Sequence, residues 1–487
     1  TESRLEKQFE RTLAMLLGFQ SVRLAMMIDE AKAVDRSRAT LALPPAMSLR
    51  SQLIPDQSAL ADLVMEPISH RVPEDCYYVR CGSAENYLWL RQFLTGWGGS
   101  LDNVVATPVL DVDLRTRLES QLGIVATELA DGGIDDYLSD LAVIGTDVFF
   151  AEGAGIGVLF EAKPGRQREL VELVDQHRES QRKNVNAKKW NQTVLTHSVS
   201  MMRTPGNRMR SFRVQLGRYC LVTNSLSLVT QVIKTQRPNQ SLASLAEFRY
   251  ARAKHPPSKS AGITFYLSDP FFRRLISPAY RVELGRRRAA IQACRRLEFA
   301  AQVARAFGER ADSTSSLVSQ SYLPKGFGIQ ADGSAVDLHN GKAVDSIRGH
   351  AGYFAPTSDI KTSSINAAEQ EALWQFRRRY RQEWPVVDPV HISVSASTKE
   401  TGLQRVGVNV HITPYARSEY GFLSQYLAAA RHLHAHVEQN ELMGFSTALR
   451  RGSQSFQAHF GLIDAEVPFR IDQGMLVREG AFQHQDF

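Results

Sequence analysis

Apolar side chains recur at intervals of three and four positions near the start of the chain. The pattern runs from Leu5 through Phe9 and Leu13 to Ile28, with charged residues between them. This spacing places the apolar side chains on one face of a helix. A long amphipathic helix is therefore predicted over residues 2–36.

Further along the chain, four apolar strands each lead through a short turn into a short helix. The turns contain Ser, Asp, Asn, Gly and Pro residues. Ser, Asp and Asn accept hydrogen bonds from the first free amides of a helix, and Pro fits the first helical position. The pattern predicts repeated strand-turn-helix units, whose strands are residues 77–80, 158–162, 219–223 and 263–267.

Strands that follow one another are joined by short turns and not by helical crossovers. Residues 147–150 and 156–161 are predicted to form one β-hairpin, and residues 193–201 and 209–216 another. Strands joined in this way pair antiparallel. We therefore predict an α+β fold in which antiparallel meander sheets carry helices packed on one face.

The last third of the chain repeats this alternation of helices and strands. The predicted elements are a helix at about 366–382, strands at 391–397 and 404–413, a helix at 418–438 and closing strands at about 455–477.

The length of 487 residues is enough for several domains of ~100–200 residues each. The changes of pattern along the chain predict two boundaries. The predicted domains are a helical region with the first strand-helix unit at 1–135, a sheet with helices at 136–320, and a second sheet with helices at 321–487.

The composition is that of an ordinary folded protein, since 43% of the residues are apolar and 22% are charged. The formal net charge is +7. An excess this small permits weak attraction to anionic surfaces but does not indicate a dedicated nucleic-acid-binding domain. The most apolar stretch, residues 141–160, contains Asp147 and Glu152, so no transmembrane segment is predicted.

Familiar catalytic signatures do not occur in the sequence, among them the phosphate-binding P-loop, His-Glu-x-x-His and Gly-x-Ser-x-Gly. We therefore assign no catalytic residue and no cofactor. Gly153-x-Gly155-x-Gly157 is interpreted as a hairpin turn, because a dinucleotide-binding loop would open a helix where a strand is predicted. Ser358 and Lys361 have the Ser-x-x-Lys spacing of acyl-transfer enzymes, but the companion motifs are missing.

His432 and His436 are candidate metal ligands, because residues four apart share one face of a helix. A protein zinc site needs three or four protein ligands, and the sequence indicates no third one. We therefore predict no metal site, and we interpret the two histidines as a polar flank of the predicted helix.

Arginine residues are clustered on two predicted helices and near one predicted turn. A solvated helix face that pairs with nearby acids is the preferred interpretation. Contact with an acidic polymer, an anionic lipid or a partner subunit is the alternative. The candidates for such contact are Arg286, Arg287, Arg377 and Arg378, and the cluster near the turn contains Arg203, Arg208, Arg210 and Arg213.

Four segments carry a resemblance to known proteins. They are Asp-Val-Phe-Phe-Ala-Glu-Gly at 147–153, Gly-Arg-Tyr-Cys-Leu-Val-Thr-Asn-Ser at 217–225, Ser-Leu-Ala-Glu-Phe-Arg-Tyr-Ala-Arg at 244–252 and Phe-Tyr-Leu-Ser-Asp at 265–269. Tyr-Tyr-Val-Arg at 77–80 with Glu-Asn-Tyr-Leu-Trp-Leu at 85–90 is similar too. With these segments, about half of the chain resembles large uncharacterised exported proteins of planctomycete-like bacteria and other bacterial envelopes. The resemblance implies an envelope or periplasmic location and a scaffold of repeated sheet-plus-helix units, and it brings no catalytic residues.

The leading functional hypothesis is a non-catalytic scaffold or binding protein of the bacterial envelope. A carrier of an apolar ligand such as a lipid is the first alternative, and a hydrolase with an unrecognised site is the second. A protein partner or a homo-oligomer is compatible with the first hypothesis, and a cytoplasmic location is the alternative to the envelope.

Overall fold

A computed structural model describes residues 37–49, 60, 63–96, 114–256, 262–383 and 389–398, and the strands 404–412, 443–451, 454–462 and 482–484. The contacts divide the chain into two compact units, Thr1–Pro414 and Tyr415–Phe487. The predicted helices at 2–36 and 418–438, and with the second one His432 and His436, lie outside the described residues.

The described strands and helices alternate along the chain. The strands are β1 Leu41–Ala42, β2 Tyr77–Arg80, β3 Leu138–Gly145, β4 Ile156–Ala162, β5 Lys188–Val194, β6 His197–Arg203, β7 Arg210–Leu216, β8 Tyr219–Thr223, β9 Gly262–Leu267, β10 Val336–His339, β11 Lys342–Asp345, β12 Gly349–His350, β13 Ser364–Ile365, β14 Val390–Thr398, β15 Gln404–Ile412, β16 Met443–Arg451, β17 Gln454–Leu462 and β18 Phe482–His484. The helices are α1 Ala84–Gly96, α2 Leu114–Leu122, α3 Ala126–Asp131, α4 Gln167–Asn184, α5 Leu226–Lys234, α6 Ala246–Lys254, α7 Asp269–Leu275, α8 Pro278–Ala306, α9 Thr314–Ser319 and α10 Ala367–Glu383.

A ten-stranded sheet is the centre of the first unit. Its strand order is β15, β14, β9, β2, β3, β4, β8, β7, β6, β5, and every neighbouring pair is antiparallel. The α+β class with a large antiparallel sheet is therefore confirmed. The boundaries near 135 and 320 stay predictions about folding units, although strands on both sides of each one pair in this sheet.

All four predicted strand-turn-helix units occur in the described structure, as β2 to α1, β4 to α4, β8 to α5 and β9 to α7. In three of them a serine caps the helix as expected, and the first is Ser83, whose Oγ accepts a hydrogen bond from Asn86 N at 3.1 Å. Ser225 Oγ accepts a hydrogen bond from Leu228 N at 3.1 Å, and Ser268 Oγ accepts one from Phe271 N at 3.1 Å.

The two predicted hairpins are present with their second strands where predicted, as β4 and β7, but the first strand of each lies elsewhere. The first pairs β3 with β4, and residues 146–155 form the connection because Asp147 Oδ1 accepts the Phe149 amide in a local turn at 3.0 Å. The second pairs β6 with β7. The strand predicted at 193–201 is divided by a turn at Leu195, which has a φ of +54°.

Helices cover both faces of the ten-stranded sheet, so the prediction of helices on one face is not confirmed. One buried cluster joins α5 and α6 to sheet residues such as Tyr78 and Leu221. The other joins α1 and α4 to sheet residues such as Cys81 and Val222. Successive strand residues point to opposite faces, which is why Cys76 and Cys81 lie in different clusters and are free thiols.

The long helix α8 packs against a smaller group of elements outside the ten-stranded sheet. Its second half packs against α9, β10 and β11 through small apolar residues, including Ala293, Ala300 and Ala304. Its first half reaches the connection between β3 and β4 and the helix α10. No helix among the described residues is long and apolar enough to cross a membrane.

Candidate functional site

A carboxylate from a distant segment binds the start of helix α5. Asp359 accepts hydrogen bonds from the amides of Leu226 and Ser227 at 3.0 and 2.9 Å, and from Ser225 Oγ at 2.6 Å. The first amides of a helix have no partner within the helix and favour a negative charge. The residues after β8 therefore form a receptor for the Asp359 side chain.

Arg210 binds the same carboxylate from the side of the sheet. Its Nη2 lies 2.7 Å from Asp359 Oδ2, and its Nε donates to Asn224 O at 2.9 Å. Both side chains of this ion pair are 8% exposed. Because β7 and β8 are paired, the start of β7 places Arg210 beside the end of β8.

Two glycines let the segment that carries Asp359 approach the sheet. A Cβ atom on Gly155 would lie 2.6 Å from Thr146 Oγ1 and 3.0 Å from Ser358 Oγ, closer than real Cβ contacts usually are. Gly153 has a φ of +97°, and its carbonyl accepts the amide of Thr357 at 3.1 Å. The glycine run is followed by strand β4, as the hairpin interpretation requires, and it is also where this segment docks.

A second ion pair joins α8 to α10. Arg286 donates from Nε and Nη2 to the two carboxylate oxygens of Glu369 at 2.6 and 2.9 Å, and from Nη2 to Ser364 O at 2.8 Å. Glu369 also forms a capping box with Asn366, in which each side chain accepts the backbone amide of the other, at 2.8 and 2.9 Å. Arg286, which is 6% exposed, therefore has a fixed orientation.

Three members of these ion pairs, Arg210, Asp359 and Arg286, line one cavity of about 540 Å³. The charged side chains of its wall are Arg38, Arg203, Arg210, Arg286 and Lys361, with Asp332 and Asp359. Arg38 and Lys361 are exposed, so the cavity is open to solvent on their side. Five positive and two negative residues give the wall a positive net charge.

Both acidic residues of the wall are already neutralised by arginines. Asp359 binds Arg210. Asp332 lies 2.5 Å from Nη2 of Arg348, a buried residue that does not line the cavity. Burial acts in the opposite direction, but the Arg348 charge and a hydrogen bond from Ser334 N hold the pKa of Asp332 below its usual value. These carboxylates therefore do not balance the other cations.

Three cations of the wall form no ion pair with a carboxylate in the described part of the chain. They are Arg38, Arg203 and Lys361. Arg203 Nε donates to the neutral side chain of Asn207 at 2.9 Å. Partial burial lowers the pKa of Arg203, and the charge of Arg210 lowers it further.

The buried arginines of the wall have N–H donors that no described residue accepts. Arg210 and Arg286 donate from Nε and Nη2, and the Nη1 of each has no hydrogen-bond partner among the described residues. A guanidinium presents five N–H donors in a planar fork that matches carboxylate and phosphate oxygens. The cavity thus combines the fixed donors of Arg210 and Arg286 with the exposed cations Arg38 and Lys361.

The four arginines predicted as anion contacts lie in different surroundings. Arg286 is in the cavity wall, whereas Arg287 is fully buried and binds Glu283 at 2.8 Å. Arg377 donates to a backbone carbonyl, and burial and then the Arg381 charge lower its pKa. Arg378 is exposed beside a tryptophan ring. The structure therefore brings one of the four to the cavity.

Ser358 and Lys361 both lie near this cavity without forming a nucleophile-base pair. Ser358 Oγ lies 2.9 Å from Ser225 Oγ, which already serves as a helix cap and donates to Asp359. No hydrogen bond joins Ser358 to Lys361 in the described contacts. No group of three or more metal-ligating side chains occurs among the described residues either.

Several residues of the site were not singled out from the sequence. Arg203 and Arg210 belong to the arginine cluster near the predicted turn, whereas Asp359 and Glu369 were not predicted as site residues. The Asn366-x-x-Glu369 spacing is a capping-box signal that the sequence does contain. Asp359 had no such signal, because its partners lie more than a hundred residues away.

Comparisons with protein-family models, with curated proteins and with solved structures found no match to this chain. The resemblance to exported envelope proteins therefore stays a prediction, and the function is argued from the cavity.

Proposed function

We propose that this protein is a non-catalytic binding protein that holds a small anionic ligand in the cavity beside Asp359. The observation that carries the proposal is the excess of cations in one cavity wall. Three of the five positive side chains have no carboxylate partner within the described part of the chain, and they share the cavity with two buried arginines.

The buried arginines support a specific site and not a diffuse basic surface. Surface cations that attract any polyanion are exposed and move freely. Arg210 and Arg286 are instead fixed by ion pairs and reach solvent through the cavity. Fixed donors lose little entropy when an anion binds, so they increase affinity for an anion of the right size.

The size of the cavity favours a small molecule over a polymer. Small-molecule sites typically have volumes of ~300–1,000 Å³, and this cavity has about 540 Å³. A phosphate monoester or a carboxylate offers oxygens that two guanidinium forks can bind together. We therefore favour a ligand with one compact anionic group.

Calorimetric titration of the full chain with inorganic phosphate tests this proposal. We expect saturable binding that weakens as the salt concentration rises, because salt screens the charges of the open side. Arg203→Gln should weaken phosphate binding by at least about tenfold, since a charge-assisted hydrogen bond contributes ~1.5–3 kcal/mol. The matched control is Arg208→Gln, which removes the same charge from an exposed neighbour that does not line the cavity.

Two results would contradict the proposal. One is the absence of saturable phosphate binding at low salt. The other is an equal loss of affinity in Arg203→Gln and Arg208→Gln, because that result would indicate a general effect of net charge.

The remaining hypotheses are kept as proposals with their own tests. Fractionation of the native host would test the envelope location against the cytoplasmic one, and sedimentation would test homo-oligomer formation. A hydrolase would release product from activated esters in a Ser358-dependent manner, and Ser358→Ala is the variant for that assay.

A further inference from the structure

A second, less polar cavity lies next to the cationic one. It has a volume of about 340 Å³ and lies between helices α8 and α10. Arg286 and Ala331 line both cavities. The fixed guanidinium of Arg286 therefore stands at the junction between a charged compartment and this groove.

The groove is formed by small and apolar residues on the two helices. Its apolar lining includes Val282, Gly285, Ala289, Ala368, Leu373 and Phe376. A Cβ atom on Gly285 would have no heavy atom within 4 Å, so the space beside this helix turn is open. Small residues at these positions leave a channel where larger ones would join the helices.

The polar residues of the groove are largely engaged with each other. Glu369 is bound by Arg286 and by the amide of Asn366. The guanidinium of Arg281 lies 4.2 Å from the centre of the Phe376 ring. The groove therefore offers a ligand mainly apolar surface, with Arg281 over the Phe376 ring and Arg286 at the end shared with the cationic cavity.

We infer that the ligand is an amphiphile, with its anionic group in the cationic cavity and an alkyl chain in the groove between α8 and α10. The inference rests on the proposed function and extends it to a ligand class. A free inorganic anion would leave the groove empty, whereas a single-chain alkyl phosphate or fatty acid fills both compartments past Arg286.

The test measures the affinity of a series of alkyl phosphates by calorimetric titration below their micelle concentrations. Ethyl, butyl, hexyl and octyl phosphate carry the same anionic group. Full burial of a methylene contributes ~0.8 kcal/mol, or about fourfold in affinity. Because the groove is open on one side, we expect an increase of up to about fourfold per methylene, which ends when the groove is full.

Gly285→Leu fills the groove and should abolish the increase with chain length while ethyl phosphate binds as before. The open space around Gly285 makes it a site where a larger side chain fits, and Ala289→Leu repeats the test one turn away. Ala367→Leu is the control, since this exposed residue of α10 does not line the groove. Arg203→Gln should weaken all four ligands by the same factor.

The outcomes separate the two levels of the proposal. If the four alkyl phosphates bind with equal affinity, the amphiphile inference is wrong and the anion site stands. If chain length increases affinity equally in the wild type, Gly285→Leu and Ala289→Leu, the chain lies outside the groove and the inference is also wrong. If none of the ligands binds, the proposed function itself fails.

Discussion

Replacing Asp359 with Ala is the sharpest test of how the cationic cavity is held together. The carboxylate accepts hydrogen bonds from two helix amides and from Ser225, and it forms a buried ion pair with Arg210. The substitution leaves all four donors without this partner. Arg210 keeps its bond to Asn224 O, but its charge is then uncompensated.

The magnitude follows from the burial of the pair. Removal of one member of a buried ion pair typically costs ~3–5 kcal/mol, because a charge remains without its partner. Loss of helix N-terminal capping typically costs ~0.5–2 kcal/mol. Since the two losses share one carboxylate, we expect a total near ~3–5 kcal/mol and not their sum.

Hydrogen exchange measured by mass spectrometry on peptides from helix α5 is the appropriate assay. The chain forms two compact units, so a single unfolding free energy is not well defined for the whole molecule. At ~1.4 kcal/mol per factor of ten, a loss of 3 kcal/mol accelerates exchange by roughly a hundredfold. The effect should be strongest for the amides of Leu226 and Ser227.

The control is the double variant Asp359→Ala with Arg210→Met. It removes the buried charge together with its partner, so part of the lost protection should return. If Asp359→Ala changes exchange in α5 by less than about threefold, the carboxylate does not stabilise the helix start, and the description of the cavity wall is incorrect.

Three further predictions concern other parts of the chain. Burial raises the pKa of Asp147 to about 7, so the stabilisation from its protonated form is full below pH ~4 and is lost as the pH rises through 7. Asp147→Asn should remove this pH dependence, which amounts to roughly 4 kcal/mol in the stability of the first unit and is measured from the urea midpoint of that unit at each pH. The pH dependence that comes from Glu247, whose pKa burial raises to about 7, should remain. Gly155→Ala should destabilise the first unit by ~1–3 kcal/mol. Replacing His432 and His436 with Gln should leave the melting temperature unchanged.

Each of these predictions has a result that contradicts it. Identical pH dependence in the wild type and in Asp147→Asn would show that this carboxyl does not titrate with folding. A Gly155→Ala variant as stable as the wild type would mean that the segment near Ser358 yields easily. Stoichiometric metal in purified protein, lost with stability in the double histidine variant, would establish a metal site.

Local signals in the sequence were sufficient for the elements that depend on neighbouring residues. Ser225 and Ser268 cap helices directly after apolar strands, and both junctions lie where the pattern predicted them. The first predicted hairpin strand was misplaced because Asp147 forms a local turn, so apolar residues after it are not in a strand. Apolar content alone could not distinguish a strand from an apolar turn segment.

The sequence by itself determined the alternation of strands and helices and the antiparallel class, because backbone periodicity and capping act over a few residues. The tertiary structure alone decided that helices cover both faces of the sheet. It also decided which arginines share a cavity: Arg210 meets Asp359, and Arg286 meets Glu369, across 149 and 83 residues of chain. Such pairs form where the packing of distant elements brings them together, and no local pattern encodes that distance.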